Sequence, residues 1–132
     1  MNAEIISVGT ELLLGHTINT DAAFVARELS AIGVNLLFAC TVGDNPGRLR
    51  DALEEALGRS DVVITTGGLG PTDDDLTKET VAELFGREME FNQEAYDGIL
   101  RRFLHSDRQM TENNRKQAYL PVGAVPLQNQ NG

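Results

Sequence analysis

Three consecutive carboxylates, Asp73, Asp74 and Asp75, follow a run in which glycine occupies positions 67, 68 and 70. Glycine lets a backbone turn sharply or approach a ligand closely. The residues just before, 62–66, read Val-Val-Ile-Thr-Thr, an apolar and β-branched stretch too short for a helix and therefore a predicted buried strand. Thr72 stands three residues ahead of Asp75, the spacing of a capping box at a helix start. Strand, glycine loop and helix N-terminus in that order point N–H groups and the positive end of a helix dipole into the loop, which suits a phosphate. An ordinary βα turn has the same grammar. Acids in a first helical turn gain about 0.3–1 kcal/mol each from the dipole, which accounts for part of the cluster. A carboxylate repels a phosphate, so both together call for a divalent cation between them, because hard cations take oxygens of both kinds. No Gly-Lys-Ser/Thr follows, which excludes a P-loop, and the third glycine of the dinucleotide fingerprint is missing.

The elements that must position this loop come from periodicity. Residues 3–8 predict a first strand ending at Gly9-Thr10-Glu11, followed by a leucine-rich turn. Residues 19–32 predict a helix, with Ala22, Val25, Leu29 and Ile32 at helical spacing and Gly33 as its stop. Residues 34–42 are almost wholly apolar, as in a parallel strand covered on both faces, and Cys40 inside it is expected to be buried and inert. Asn45 and Pro46 suit the N-cap and first position of a second helix, expected to end at Gly58. A third helix is expected over 73–85, a short strand over 88–91, a long helix over 93–107 capped by Asn92, and a short helix from Thr111 ending by Leu120. Residues 122–127 are a candidate last extended piece.

Repeated strand and helix alternation predicts an α/β domain with a doubly wound, largely parallel sheet. Ligands in such sheets gather outside the carboxyl ends of the strands. Three loops leave those ends, at 9–11, 43–45 and 67–75, each with glycine and an acid.

With 132 residues the chain is one domain's worth, and 41% hydrophobic with 23% charged residues is globular. A net charge of −9 argues against nonspecific binding to nucleic acid or an anionic membrane. One cysteine excludes an internal disulfide, and the N-terminus carries neither a basic region nor a long apolar segment, so a cytoplasmic location is expected. The terminal Asn129-Gln130-Asn131-Gly132 is a turn signal with nothing after it, which reads as the end of a fragment.

Four runs occur together in order: Gly9-Thr10-Glu11-Leu12-Leu13-x-Gly15, Val42-Gly43-Asp44-Asn45, Thr65-Thr66-Gly67-Gly68-Leu69-Gly70-Pro71-Thr72-x-Asp74-Asp75-Leu76-Thr77 and Met110-Thr111-Glu112-Asn113-Asn114. Over its whole length the chain resembles the N-terminal domain of CinA-type competence/damage-inducible proteins, within the wider molybdopterin-binding family of MoaB, Mog, MoeA and gephyrin. The resemblance implies a single three-layer α/β/α domain over 1–132, incomplete at its C-terminus, that assembles as a dimer or trimer. It implies a phosphorylated small-molecule ligand (ADP-ribose, a nucleotide or a pterin) bound by Gly9, Thr10, Glu11, Thr66, Gly67, Gly68, Gly70, Pro71 and Thr72. It implies catalytic Asp44 and Asp75, and a divalent ion of the magnesium, manganese or cobalt class on Asp44, Asp75 and Asp74. In CinA-type members the implied activity is a metal-dependent pyrophosphatase on ADP-ribose and related dinucleotides, and a separate C-terminal domain deamidates nicotinamide mononucleotide. Two departures stand out: Asp21 replaces the usual asparagine, and the chain stops before an Ala-Pro-Gly segment that helps close the family's site.

His16 and His105 have no spaced partner and read as solvent-facing or satisfied. Lys78, Arg48 and Arg115 suit either a phosphate or a solvated helix face, Glu11 either the site or the surface, and Thr111 a helix cap at the pocket's border. The carboxylate cluster favours a hydrolase over a non-catalytic binding or oligomerisation module; the missing C-terminal segment favours the module for this chain.

Overall fold

The computed structural model describes residues 1–129, so residues 130–132 of the expected terminal turn lie outside it. A central strand β1 (Asn2–Val8) is flanked by β2 (Asn35–Val42) and β3 (Val62–Thr66), both parallel to it, in the order β2-β1-β3. Successive side chains of a strand point to opposite faces, and β1 is apolar on both. Ala3 and Ile5 pack with Leu29 under α2 (Thr20–Ala31), while Ile6 and Val8 pack with Leu49, Leu53 and Ala56 of α3 (Pro46–Arg59). Val81 and Leu84 of α4 (Thr77–Leu84) join the second cluster. The domain is thus three layers, α/β/α. Ile5 and Ile6 are fully buried, and burying a side chain of that size stabilises by about 1.5–3 kcal/mol.

Register decides where the loops meet. Val8 lies opposite Val42, and Ser7 opposite Thr66, so β1, β2 and β3 end on one rim. Gly9 to Glu11, Gly43 to Asn45 and the glycine loop all leave from that rim. The chain steps from β1 to β2 on one side and returns past β1 to β3 on the other, so the strand order reverses beside β1, where α/β sheets form their ligand crevices.

The caps obey local chemistry. Asn19 Oδ1 accepts from Ala22 N–H at 3.1 Å, Asn45 Oδ1 from Arg48 N–H at 2.9 Å, and Asn92 Oδ1 from Ala95 N–H at 2.8 Å. Gly33 ends α2 with φ of 76°. The leucine-rich turn is a single helical turn, α1 (Thr10–Leu13).

Several expectations are corrected. The third helix begins at Thr77, not at residue 73; the three aspartates lie in a turn ahead of it, and the acid in its first turn is Glu79. β2 is an edge strand, and its outward side chains are exposed: Leu37 is 55% exposed, and Cys40 is exposed too. An apolar run reports composition, whereas cover on both faces depends on place in the sheet. Glycine did not end α3, which runs through Gly58 to Arg59. The long helix, α5 (Gln93–Leu104), stops three residues early. The segment after α6 (Glu112–Arg115) is a 3-10 turn (Lys116–Ala118) leading into β5 (Tyr119–Pro121), which pairs antiparallel with β4 (Met89–Phe91); no strand forms over 122–127. Phe91, Tyr96 and Tyr119 cluster there with centroid distances of 5.3 and 5.6 Å from Phe91. Among the described residues no helix is long and apolar enough to cross a membrane.

Candidate functional site

At the rim, Thr10 and Asp44 lock two loops together. Thr10 N–H donates to Asp44 Oδ2 at 3.2 Å, and Asp44 N–H donates to Thr10 Oγ1 at 3.0 Å. Asp44 and Asp74 then line one narrow cleft with Val8, Asn45 and Thr77. Its volume of about 10 Å³ is that of one water or one ion.

A larger cleft of about 130 Å³ opens on the other side of Val8, at the β1–β3 switch point. Glu11, Asn19, Asp21, Thr66 and Gly67 are among its walls. Below it lies a polar network: the buried Ser7 Oγ accepts from Asn19 Nδ2 at 2.8 Å and from Thr66 Oγ1 at 3.2 Å. A buried hydroxyl needs such partners, and Ser7 amid Ile5, Ile6 and Val8 is the sequence signal for this network.

The glycine loop is shaped by the protein's own atoms. Gly67 has φ of 85°, and a Cβ there would run into the Val8 carbonyl; Gly68 has φ of 64°, and a Cβ would run into Thr77 Oγ1. Thr77, which is buried, donates from Oγ1 to the Gly67 carbonyl at 2.9 Å and from N–H to the Gly68 carbonyl at 3.1 Å. The sequence motif contains Thr77, but only the fold shows it stapling the loop.

Asp75 turns away from both clefts. Its Oδ2 accepts from Thr72 N–H at 3.0 Å and from Thr72 Oγ1 at 2.6 Å. Burial pushes the Asp75 carboxyl up, but the Thr72 hydroxyl and amide, the Gly70 amide and the Lys116 charge outweigh it and leave it below the ordinary value. Thr111 and Asn114 repeat the turn: Asn114 Oδ1 accepts from Thr111 N–H at 2.9 Å and from Thr111 Oγ1 at 3.0 Å. Of the sequence-predicted residues, the fold therefore gathers Asp44 with Asp74, and Glu11 with Thr66 and Gly67. Gly9 and Gly43, both buried, carry the loops between, while Pro71 and Thr72 stay with Asp75 and Gly70. His16 and His105 are exposed.

Two cations differ from expectation. Lys78 is half-buried, and its Nζ donates to the carbonyls of Lys116, Gln117 and Tyr119. Arg115 lies over the Phe91 ring at 4.5 Å from its centroid. Lys116, which no motif flagged, donates to the Thr72 and Asp75 carbonyls.

The likeness to known proteins follows this geometry. A family described as "Probable molybdopterin binding domain" matches residues 4–131. A CinA-like protein of Desulfovibrio desulfuricans is 58% identical over all 132 residues, which make up 31% of its own length. The chain spans about a third of the length of the curated relatives it matches. A crystal structure of a protein CinA "with unknown function" from Thermoplasma acidophilum has a TM-score of 0.88 at 35% identity, covering 99% of this chain and 76% of that one. The tungsten cofactor synthesizing protein MoaB of Pyrococcus furiosus follows with a TM-score of 0.61 at 26% identity, over 78% of this chain and 62% of that one.

Proposed function

Because the chain belongs to the molybdopterin-binding domain family, as one of its CinA-type members, we propose that it is the nucleotide-binding part of a divalent-metal-dependent pyrophosphatase acting on ADP-ribose or a related dinucleotide. One observation carries the reading: two acidic residues from different βα loops, Asp44 and Asp74, line one ion-sized cleft beside a larger cleft at the switch point of the sheet. Magnesium-type ions are held by one or two carboxylates plus substrate phosphates rather than by an all-protein cage. The donor set fits that pattern, with Asp44 and Asp74 as ligands and Asp75, the third expected member, shaping the turn behind them. A bound ion of the magnesium, manganese or cobalt class supplies Lewis-acid polarisation of a phosphoryl oxygen.

The chain's own residues do the rest. The Gly67–Gly68 backbone, bare of side chains, brings a phosphate against the end of β3. Thr66 and Asn19 offer polar groups to it. Glu11 and Asp21 accept hydrogen bonds from hydroxyls of a ribose. Hydrolysis of the pyrophosphate adds one water and yields AMP and ribose 5-phosphate. Incubation of the whole protein with ADP-ribose and each of magnesium, manganese and cobalt tests this: metal-dependent AMP release is expected, and no AMP with any of them rejects the activity.

A second reading, a non-catalytic module for a phosphorylated pterin or nucleotide, is favoured by one fact. Asp75, one of the two aspartates that the resemblance implies as catalytic, lines neither cleft and is bonded to Thr72 instead. Stoichiometric nucleotide binding without turnover would select it. The family likeness also supports a homodimer or trimer in the cytoplasm, which light scattering and cell fractionation test.

A further inference from the structure

The aspartate turn has no regular secondary structure of its own, since the helix after it starts only at Thr77. Its backbone is held from a distance. Lys116 Nζ donates to the Thr72 carbonyl at 2.7 Å and to the Asp75 carbonyl at 2.6 Å. Lys116 is seated in turn by Lys78, whose Nζ donates to the carbonyls of Lys116, Gln117 and Tyr119 at 3.2, 3.1 and 2.8 Å. Lys78 is the second residue of α4, directly after the aspartate turn. Each lysine thus grips the backbone of the segment that carries the other. Hydrogen bonds from a charged donor are stronger than neutral ones, and Lys116 adds two of them to a turn whose own backbone bond runs from Asp75 N–H to the Thr72 carbonyl at 3.2 Å.

We propose that Lys116 is a positioning residue: it fixes the turn from Thr72 to Asp75 and thereby the aim of Asp74 into the cleft shared with Asp44. This rests on the reading above, in which Asp44 and Asp74 hold the cation. Lys116 lines neither cleft, so it acts through the turn and not on the substrate. A second contact explains why the residue is a cation. Glu79, a half-buried side chain, has one oxygen, Oε2, buried without a hydrogen-bond partner among the described residues, and its Oε1 lies 4.0 Å from Lys116 Nζ. A partly buried carboxylate is more stable beside a compensating charge and loses stability when that charge is removed.

Lys116→Met alone would also remove a charge beside Glu79, so the test uses Lys116→Met with Glu79→Gln, alongside Glu79→Gln alone and Lys116→Arg. Amide hydrogen exchange and magnesium-dependent AMP release from ADP-ribose are measured on each. In the double variant the Thr72, Asp75 and Thr77 amides are expected to exchange faster. Turnover is expected to fall by up to about 10²-fold, the size of effect that a misplacement of about 1 Å produces. The magnesium concentration for half-maximal rate rises, and KM for ADP-ribose at saturating magnesium stays near the wild-type value. Lys116→Arg, which keeps charge and donors, restores part of the loss, and Glu79→Gln alone leaves turnover near wild type. Wild-type exchange in the double variant overturns the proposal, as does faster exchange with unchanged turnover and magnesium dependence. An inactive wild-type protein rejects the hydrolase reading instead, and the exchange rates then decide by themselves whether Lys116 holds the turn.

Discussion

Thr10 and Asp44 are bonded in both directions, amide to carboxylate at 3.2 Å and amide to hydroxyl at 3.0 Å, across two loops that are 34 residues apart in the chain. This exchange fixes one of the two carboxylates of the narrow cleft. Thr10→Val removes the hydroxyl acceptor but keeps the shape of the side chain. Loss of one exposed hydrogen bond costs about 0.5–1.5 kcal/mol, so a small fall in denaturant midpoint is expected. Magnesium affinity should fall with it, while Thr10→Ser retains both; equal affinity in all three proteins would show that Asp44 needs no such support.

Asp44→Asn and Asp74→Asn are expected to lose metal-dependent hydrolysis, because each removes a charge from the ion-sized cleft; Asp74→Asn should melt near the wild-type temperature, and Asp44→Asn slightly below it, since it weakens the bond from Thr10 N–H. Asp73→Asn should be silent in both measurements. Asp75→Asn should differ from all of these. It weakens two hydrogen bonds from Thr72, and bonds to a charged acceptor are worth about 1.5–3 kcal/mol, so its melting temperature falls as well. A silent Asp74→Asn would return the metal role to Asp75.

Acid sensitivity has an identifiable source away from the rim. Glu4 is 1% exposed and accepts from Arg59 at 2.7 and 2.9 Å; these hydrogen bonds hold its carboxyl below the ordinary range although burial pushes it up. A carboxyl whose folded pKa is depressed binds its proton more readily in the unfolded chain. Its stabilisation is therefore complete above the unfolded value of about 4.3 and is lost as pH falls through the folded value. Thermal melts of wild type and Glu4→Gln should differ widely at pH 7 and converge in strong acid. A gap that persists at pH 2 would point to packing and not charge.

Two glycines should respond in opposite directions to alanine. Gly67 has φ of 85° with the Val8 carbonyl in the path of a Cβ, so Gly67→Ala is expected to destabilise by about 1–3 kcal/mol or more. Gly58 lies within α3 with nothing within 4 Å of a Cβ, so Gly58→Ala is expected to stabilise by about 0.5–1 kcal/mol. Urea midpoints of the two variants decide both. Because the glycine loop is shaped by internal contacts, loss of ligand binding on substitution there does not by itself identify a phosphate cradle.

Lys78→Met removes the donor to three carbonyls of residues 116–119. At about 1–3 kcal/mol for stranded buried acceptors, the segment should loosen before the sheet does. Limited proteolysis is expected to cut between residues 105 and 120 in the variant while the 1–100 fragment persists. Protection equal to wild type would remove the brace.

The residues themselves determined most features that a few neighbours can decide, although Gly58 did not stop α3. Asn19, Asn45 and Asn92 cap helices where their short side chains can reach the next N–H groups, Gly33 stops a helix where only glycine accepts the backbone, and three strands are legible from β-branched runs. The parallel α/β pattern and the family likeness followed from these, as did the gathering of glycine and acid on three loops. Tertiary structure decided what depends on distant partners. The strand order put the apolar β2 at an edge and left Cys40 exposed, since an apolar run carries no record of how many neighbours its strand will have. Residue 73 did not start a helix because Thr72, Asp75 and the distant Lys116 satisfy that backbone in another way. The register that pairs Val8 with Val42 and Ser7 with Thr66 brings the Asp44 and Asp74 loops to one cleft, while the local bonds from Thr72 and the distant Lys116 hold Asp75 out of it: adjacent residues on a turn point in different directions, and the tertiary contacts help choose which one lines the cleft.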